Sequence, residues 1–531
     1  MTIANAEPRT PNAEPRRAGV AHRFLAFITD RANPMLVRCV RQELRSRAFI
    51  SVYLLLLAVA TLAATFAAGW ADAGQDQRAG QGLFGILAWA WSFVVAVQAL
   101  GTFAAVTRER NEDTWDLVDL TGMRPGQVLR GLLLANLAHG QLYTAALAPF
   151  LAMSYLLRGL DLMTIVFALV TIPLAGIAAS TLAVFCACLG NNKGSRAFLG
   201  GLLGLFLIGC WWGSRALWVE GQSGIDEVIG GLREGQADAW LAVGMLANGW
   251  AAFVTLMLVL SSALLTHRAG DRSGGPRLIW FLLWVDLALW MLVFTWRNAA
   301  VGRTYAWTTL ADPLLTSGLV GVIWAAVLGL FSVSEDYELS PRQARAITAA
   351  RGWRRLLTPL LGPGAARGRL AFCAFTALAL LASGIGAACD SGDSGFAWLL
   401  ASALIAGHAS LILWTTDLIY RGPLARWLDT PLLRRGFLLV MVAVWSLGPV
   451  LAALVFDTGH VEKSWMATLS PFWGAAQVLD RHGDDLNPLD IAIPGLGGLA
   501  AWLVLLIQGI RLTIVTRRVQ ARSDDVNPRG G

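Results

Sequence analysis

The chain has 531 residues, is 56% hydrophobic and carries only 42 basic and 35 acidic residues. About one position in seven is charged, against roughly one in four for a soluble protein, and the mean hydropathy is +0.56. So much apolar surface cannot be covered by so few polar groups, which excludes a cytosolic multidomain enzyme and predicts an all-α polytopic membrane protein.

Residues 1–32 are polar and repeat Asn-Ala-Glu-Pro-Arg at 5–9 and 12–16, as expected of a disordered cytoplasmic tail. The apolar run that follows is too long for a cleavable signal. Residues 33–49 form a helical stripe: Leu36, Val40 and Leu44 recur every four residues, while Arg38, Arg41 and Arg45 take the opposite face. Such a helix suits the inner membrane interface, in contact with anionic lipid; the plainer alternative is a positive flank that fixes topology.

A bilayer core of about 30 Å needs roughly 20 apolar residues per helix, because every backbone polar group must be bonded within the segment. Twelve runs qualify: 48–69, 81–106, 131–157, 163–189, 197–218, 239–266, 278–295, 313–333, 371–388, 396–420, 437–456 and 491–511. Lys and Arg are retained on the cytoplasmic side of short loops. On this numbering 34 basic residues fall in the tails and even-numbered loops, and 8 in the odd-numbered loops. Acids divide 16 inside and 17 outside, with Asp286 and Asp417 within spans. This sorting predicts an even span count with both termini in the cytoplasm of a multi-pass protein of the cytoplasmic (inner) membrane.

Loop lengths suggest a duplication. The long inside loops are 107–130 and 334–370, and the long outside loops are 219–238 and 457–490, as two six-helix bundles would give. The halves are then 33–266 and 267–511, with a cytoplasmic tail at 512–531. No residue-level repeat is legible between them.

Loop 107–130 stands out because five acids lie on a side otherwise rich in arginine. Trp115, Leu117, Val118 and Leu120 fall at helical spacing, and Gly122 and Pro125 supply a stop. A short acidic amphipathic helix between two spans fits a groove on a soluble partner. In loop 457–490, residues 466–479 are apolar, too short to span and interrupted by Pro471. That segment is either re-entrant or a helix on the outer leaflet.

Polar residues inside spans are costly and face bundle interiors. Asp286, His139 and His408 are the candidates for a translocation path, with Asn136 and Gln141 beside His139. Asp417 precedes Arg421 by four residues, which predicts an i,i+4 ion pair. The six histidines show no metal-ligand spacing, so no metal site is expected. Neither lysine, Lys193 nor Lys463, follows a glycine, so no phosphate-cradling P-loop is present. Gly392-Asp393-Ser394-Gly395 lies at the edge of a span, where no triad could be assembled. No basic cluster interleaves with aromatics, so no nucleic acid partner is expected. The 23 tryptophans read as interfacial belts, with Trp70, Trp218, Trp240, Trp398 and Trp465 at outer ends. Gly200-x-x-x-Gly204 offers a close helix approach.

At loop 107–130 the residues resemble a family. Glu109-Arg110 followed by Glu112, Thr114, Asp116-Leu117, Thr121 and Gly131 is similar to the loop of ABC-2 type permeases, the membrane subunits of one class of ATP-binding-cassette exporters. Asp113 stands where the family has Gly, Gly122 where it has Pro, and Leu132 where it has Lys. Asn33-Pro34 and the basic helix to Phe49 are similar to the family's start, with Cys39 where an acid is usual. The resemblance covers residues 33–135. It implies that 33–49 is an elbow helix and that Glu109, Glu112, Thr114, Trp115 and Asp116 couple to a separate P-loop ATPase, in two copies. ATP would then bind the partner and no cofactor this chain, and a second permease chain is a further candidate partner. The expected function is export of an unidentified substrate. The alternatives are a secondary transporter or channel independent of an ATPase, and a polytopic membrane enzyme.

Overall fold

The computed structural model describes residues 34–72, 79–111, 125–157, 160–190, 192–220, 222–267, 270–301, 309–333, 335, 339–348, 352–390, 394–422, 431–456, 469–480 and 488–526. Every regular element among them is helical. The chain divides into two compact units, Met1–Ser262 and Ala263–Gly531. Eleven described helices are long and apolar enough to cross a membrane, so the protein is an all-α, multi-pass membrane protein.

In the first unit a short helix α1 (Pro34–Leu44) precedes α2 (Arg47–Asp72), α3 (Ala79–Asn111), α4 (Pro125–Leu156), α5 (Leu162–Leu189), α6 (Lys193–Arg215), α7 (Gln222–Arg233) and α8 (Ala237–Leu265). The stripe expected at 33–49 is therefore two helices. Ser46 breaks it, its Oγ accepting the Phe49 N–H at 3.1 Å and so capping α2. The buried face of α1 is Met35 and Cys39, one position before the predicted Leu36 and Val40, while Leu44 is exposed. The predicted third span, α4, falls outside the eleven. Its 32 residues are ample in length, but Asn136, His139 and Gln141 dilute its apolar character.

Helix α3 is central, packing on α2, α4, α5 and α6. Phe84, Leu87 and Trp91 of α3 are buried against Tyr143, Leu147 and Leu151 of α4 and Ile165, Ala168 and Ile172 of α5. Helix α6 starts sharply because Asn192 and Ser195 form a reciprocal capping box.

The second unit contains α9 (Gly274–Val301), α10 (Ala311–Val333), the short amphipathic α11 (Pro341–Thr348) and α12 (Trp353–Leu361), α13 (Ala365–Cys389), α14 (Ser394–Arg421), α15 (Pro431–Phe456), α16 (Pro471–Asp480) and α17 (Pro488–Val526). Pro471 opens α16 instead of interrupting it, as proline's fixed φ and missing N–H favour at a first helical position. Helix α16 packs on α14 and α15, and the Ser470 hydroxyl donates to the Ser446 carbonyl at 2.8 Å. Helix α13 begins six residues before the predicted 371, which draws Arg367 and Arg369 into it.

Glycines bring the backbones of this unit together. A Cβ on Gly318 of α10 would stand 2.0 Å from Ser383 Oγ of α13, and one on Gly498 of α17 would stand 2.1 Å from the Cα of Gly407 of α14. Of the predicted pair in α6, a Cβ on Gly200 would stand 2.7 Å from the Phe103 ring and one on Gly204 would meet nothing within 4 Å.

Several tryptophans bond from one helix to another. Trp89 of α3 and Trp211 of α6 stack at 4.8 Å, and each indole N–H donates to the other's carbonyl at 3.2 Å. Trp280 of α9 and Trp324 of α10 repeat the arrangement at 4.2 Å, with both bonds 2.8 Å. Trp218, expected at the outer interface, is buried edge-on against Phe84. Trp324→Phe should keep the stack and lose one indole bond, a cost of about 0.6 kcal/mol for an interhelical hydrogen bond in a bilayer. A small drop in the detergent melting temperature checks this.

Candidate functional site

In the first unit, the ends of α3 and α5 and the starts of α4 and α6 meet beside α1. Arg38 of α1 pairs with Glu109 in the last turn of α3 at 3.4 Å, with Arg38 more than half exposed. The next residue turns inward: Arg110 Nη1 donates to the carbonyls of Ala187 and Cys188 at 2.8 Å and of Gly190 at 3.1 Å. Buried Arg196 adds an Nε bond to Gly190 at 3.1 Å. The last carbonyls of a helix have no partner within it and carry partial negative charge, so the two guanidinium groups satisfy the end of α5.

The structure thus brings Arg38 and Glu109 together, while Arg41 on α1 and Arg45 in the turn that follows it are exposed. Glu112, Thr114, Trp115 and Asp116 lie outside the described residues.

The polar residues of the spans have distinct surroundings. His139 is 2% exposed, with the Phe49 ring 5.6 Å away and Tyr143 one turn along α4. Nearby, Asn136 donates to Ser180 Oγ. Gln98, Asn136, Gly140, Pro173, Gly176 and Ser180 line a cavity of about 20 Å³ between α3, α4 and α5, room for about one water molecule. His408, also 2% exposed, accepts the Trp445 indole N–H on Nδ1 at 3.2 Å. An indole only donates, so the neutral imidazole carries its proton on Nε2. Asp286 is half-buried on α9. His139, Asp286 and His408 therefore stand on three different helices.

Asp417 has a partner the sequence did not suggest, while the side chain of the expected one, Arg421, lies outside the described residues. Arg369 of α13 donates Nη2 to Asp417 Oδ1 of α14, and its Nη1 donates to Gln508 Oε1 of α17 at 3.3 Å. Both ion-pair side chains are 1% exposed. The early start of α13 is the physical reason: its first turns run antiparallel to the last turns of α14, so position 369 faces position 417. At the same end, Arg277 donates Nη2 to Glu335 Oε2 at 2.7 Å and Nη1 to the Gly362 carbonyl. Glu335 Oε2 also accepts from Ser273 Oγ at 3.1 Å and from the Gly364 N–H at 3.0 Å.

Arg110 was legible as part of the Glu109-Arg110 motif, and Arg196, Arg277, Arg367 and Arg369 only as flanking positive charge. The one local signal was Gly-Pro-Gly at 362–364, a helix stop and start that places Arg367 and Arg369 in the next helix. Among the described residues no three His, Cys, Asp or Glu side chains gather as a metal site. No protein-family model, curated protein or solved structure matches the chain. What the geometry offers is therefore arginine–carboxylate pairs at helix ends, of which the Arg38–Glu109 pair is partly exposed.

Proposed function

We propose that the chain is the permease subunit of an ABC-2 type export system, driven by a separate ATPase. The carrying observation is the Arg38–Glu109 contact. It ties the amphipathic helix to the head of the acidic segment, so a load on that segment would reach α1, α3 and, through α1, α4. On this reading there are twelve spans in two six-helix bundles. Both termini face the cytoplasm, the protein sits in the inner membrane, and ATP binds two copies of the partner.

Co-purification tests the reading. Changing Glu109, Glu112 and Asp116 to Lys reverses three charges on the docking surface, and association with the ATPase should fall at least tenfold in moderate salt. Unchanged association would overturn the assignment. A second reading, a secondary transporter without an ATPase, draws on the buried Arg369–Asp417 pair, since intramembrane charges commonly mark ion-coupled paths. Transport by the chain alone in proteoliposomes would favour it.

A further inference from the structure

The cavity between α3, α4 and α5 lies deep in all three helices. Gln98 stands 13 residues before the end of α3, Asn136 stands 11 after the start of α4, and Ser180 stands 9 before the end of α5. At 1.5 Å per residue these are about 14 to 20 Å of helix, which places the cavity near the middle of a bilayer core about 30 Å thick.

Helical spacing brings the lining together. Asn136 and Gly140 are one turn apart on α4, and Pro173, Gly176 and Ser180 follow at three and four residues on α5. A Cβ on Gly140 would stand 3.8 Å from Gln98 Oε1, so the amide of α3 lies against the backbone of α4. Of the polar residues noted beside His139, Asn136 lines this space while Gln141 is exposed. Gln98, in the preceding span, takes the place expected of Gln141.

The polar groups here form an incomplete network. Ser180 Oγ donates to the Gly176 carbonyl at 2.7 Å and accepts from Asn136 Nδ2. Asn136 Oδ1 is an acceptor beyond that bond. Gln98 Nε2 is buried with no hydrogen-bond partner, and an amide N–H left unpaired in the interior costs about 1–3 kcal/mol. Pro173, within α5, has no N–H to give the Leu169 carbonyl one turn back. Prolines in spans are tolerated where ordered water or a neighbouring group serves the carbonyl so released.

We propose that the cavity is the binding site of one ordered water molecule, which accepts from Gln98 Nε2 and donates to Asn136 Oδ1. It joins α3 to the Asn136–Ser180 pair of α4 and α5 in the middle of the membrane. A buried water needs at least about 10–15 Å³ and two to four polar partners, and a lined space of about 20 Å³ supplies both. A sodium ion is of similar size, but the lining holds no carboxylate, and the unpartnered group is an N–H donor, which a cation would repel.

X-ray hydroxyl-radical labelling of the full-length chain in detergent, read by mass spectrometry, tests the inference, because radicals formed from a bound water oxidise the side chains beside it. Trp91 lines the cavity and Trp218 does not, and the two are almost equally buried, at 2% and 3% exposed. Trp91 should be oxidised several-fold faster than Trp218. Asn136→Leu removes the acceptor and fills the space, and should bring Trp91 down to the rate of Trp218. If that variant yields no folded protein, Gln98→Leu removes the donor and carries the same expectation. Melting temperature supplies a second readout. In a dry cavity Gln98→Leu deletes an unpartnered N–H and holds or raises the melting temperature, whereas in a hydrated one it breaks the bridge and lowers it by several degrees. Oxidation of Trp91 no faster than that of Trp218 in the wild-type chain would overturn the inference, as would a Trp91 rate that neither variant alters. An unchanged or higher melting temperature for Gln98→Leu would overturn the bridge. A sodium-dependent rise in melting temperature that Asn136→Leu abolishes would overturn it too, since the occupant would then be a cation.

Discussion

Arg369→Ala should cost about 3–5 kcal/mol, the range for removing one partner of a buried ion pair. Asp417 would then be a carboxylate 1% exposed that has lost its bond from this guanidinium. Asp417→Asn should cost less than Arg369→Ala, since the amide oxygen keeps an acceptor for the guanidinium. The decisive comparison is the double variant Arg369→Leu with Asp417→Leu. Replacing both charges by apolar side chains removes the desolvation penalty together with the attraction, so most of the lost stability should return. Size-exclusion profiles after a temperature series in detergent provide the measurement. A double variant as unstable as Arg369→Ala would show that Arg369 matters through its Gln508 bond instead.

The second large effect is expected at the crossing of α14 and α17. In Gly498→Ala the new methyl would stand 2.1 Å from Gly407 Cα and 2.8 Å from its carbonyl oxygen. These are backbone atoms, which no rotamer change can move aside, so the helices must separate. Overpacking of this kind costs about 1–3 kcal/mol and occasionally more. Gly204→Ala is the matched control, because a Cβ there meets nothing within 4 Å. Equal melting temperatures for the two variants would refute the close crossing.

The spans were legible because about twenty apolar residues in a row have one solution in a bilayer, and eleven of the twelve predicted runs lie in helices meeting that test. Boundaries were less legible where polar residues enter a helix. Arg367 and Arg369 look like loop residues by hydropathy, yet they begin α13 because Asp417 and Gln508 receive one of them. Hydropathy scores each residue alone and cannot register a partner 48 positions away.

The candidate site divides along the same line. Glu109 was visible as an acid among arginines, and Arg38 as the polar face of an amphipathic helix. Their contact was not, since it depends on how α1 folds back beside the end of α3. Tryptophan misled in another way. Its enrichment at membrane interfaces is a bulk tendency, whereas Trp89, Trp211, Trp280 and Trp324 each found a carbonyl on a neighbouring helix. The Ser46 break in the first helical stripe was present as a residue but outweighed by the regular spacing on either side of it.

The antiparallel pair α13 and α14 has a consequence for how the chain enters the membrane during synthesis. An arginine or an aspartate costs about 2.5–3.5 kcal/mol at the centre of a lone inserting helix, and less near its ends. Arg369 and Asp417 lie in helices separated only by residues 390–393. The two can leave the translocon as one hairpin, each charge neutralising the other before lipid surrounds it. Gln508 arrives only with α17, made after both helices of the hairpin, and its bond to Arg369 would lock the hairpin after the fact. Biogenesis of the second unit is then a matter of order: the ion pair forms first and the amide seals it.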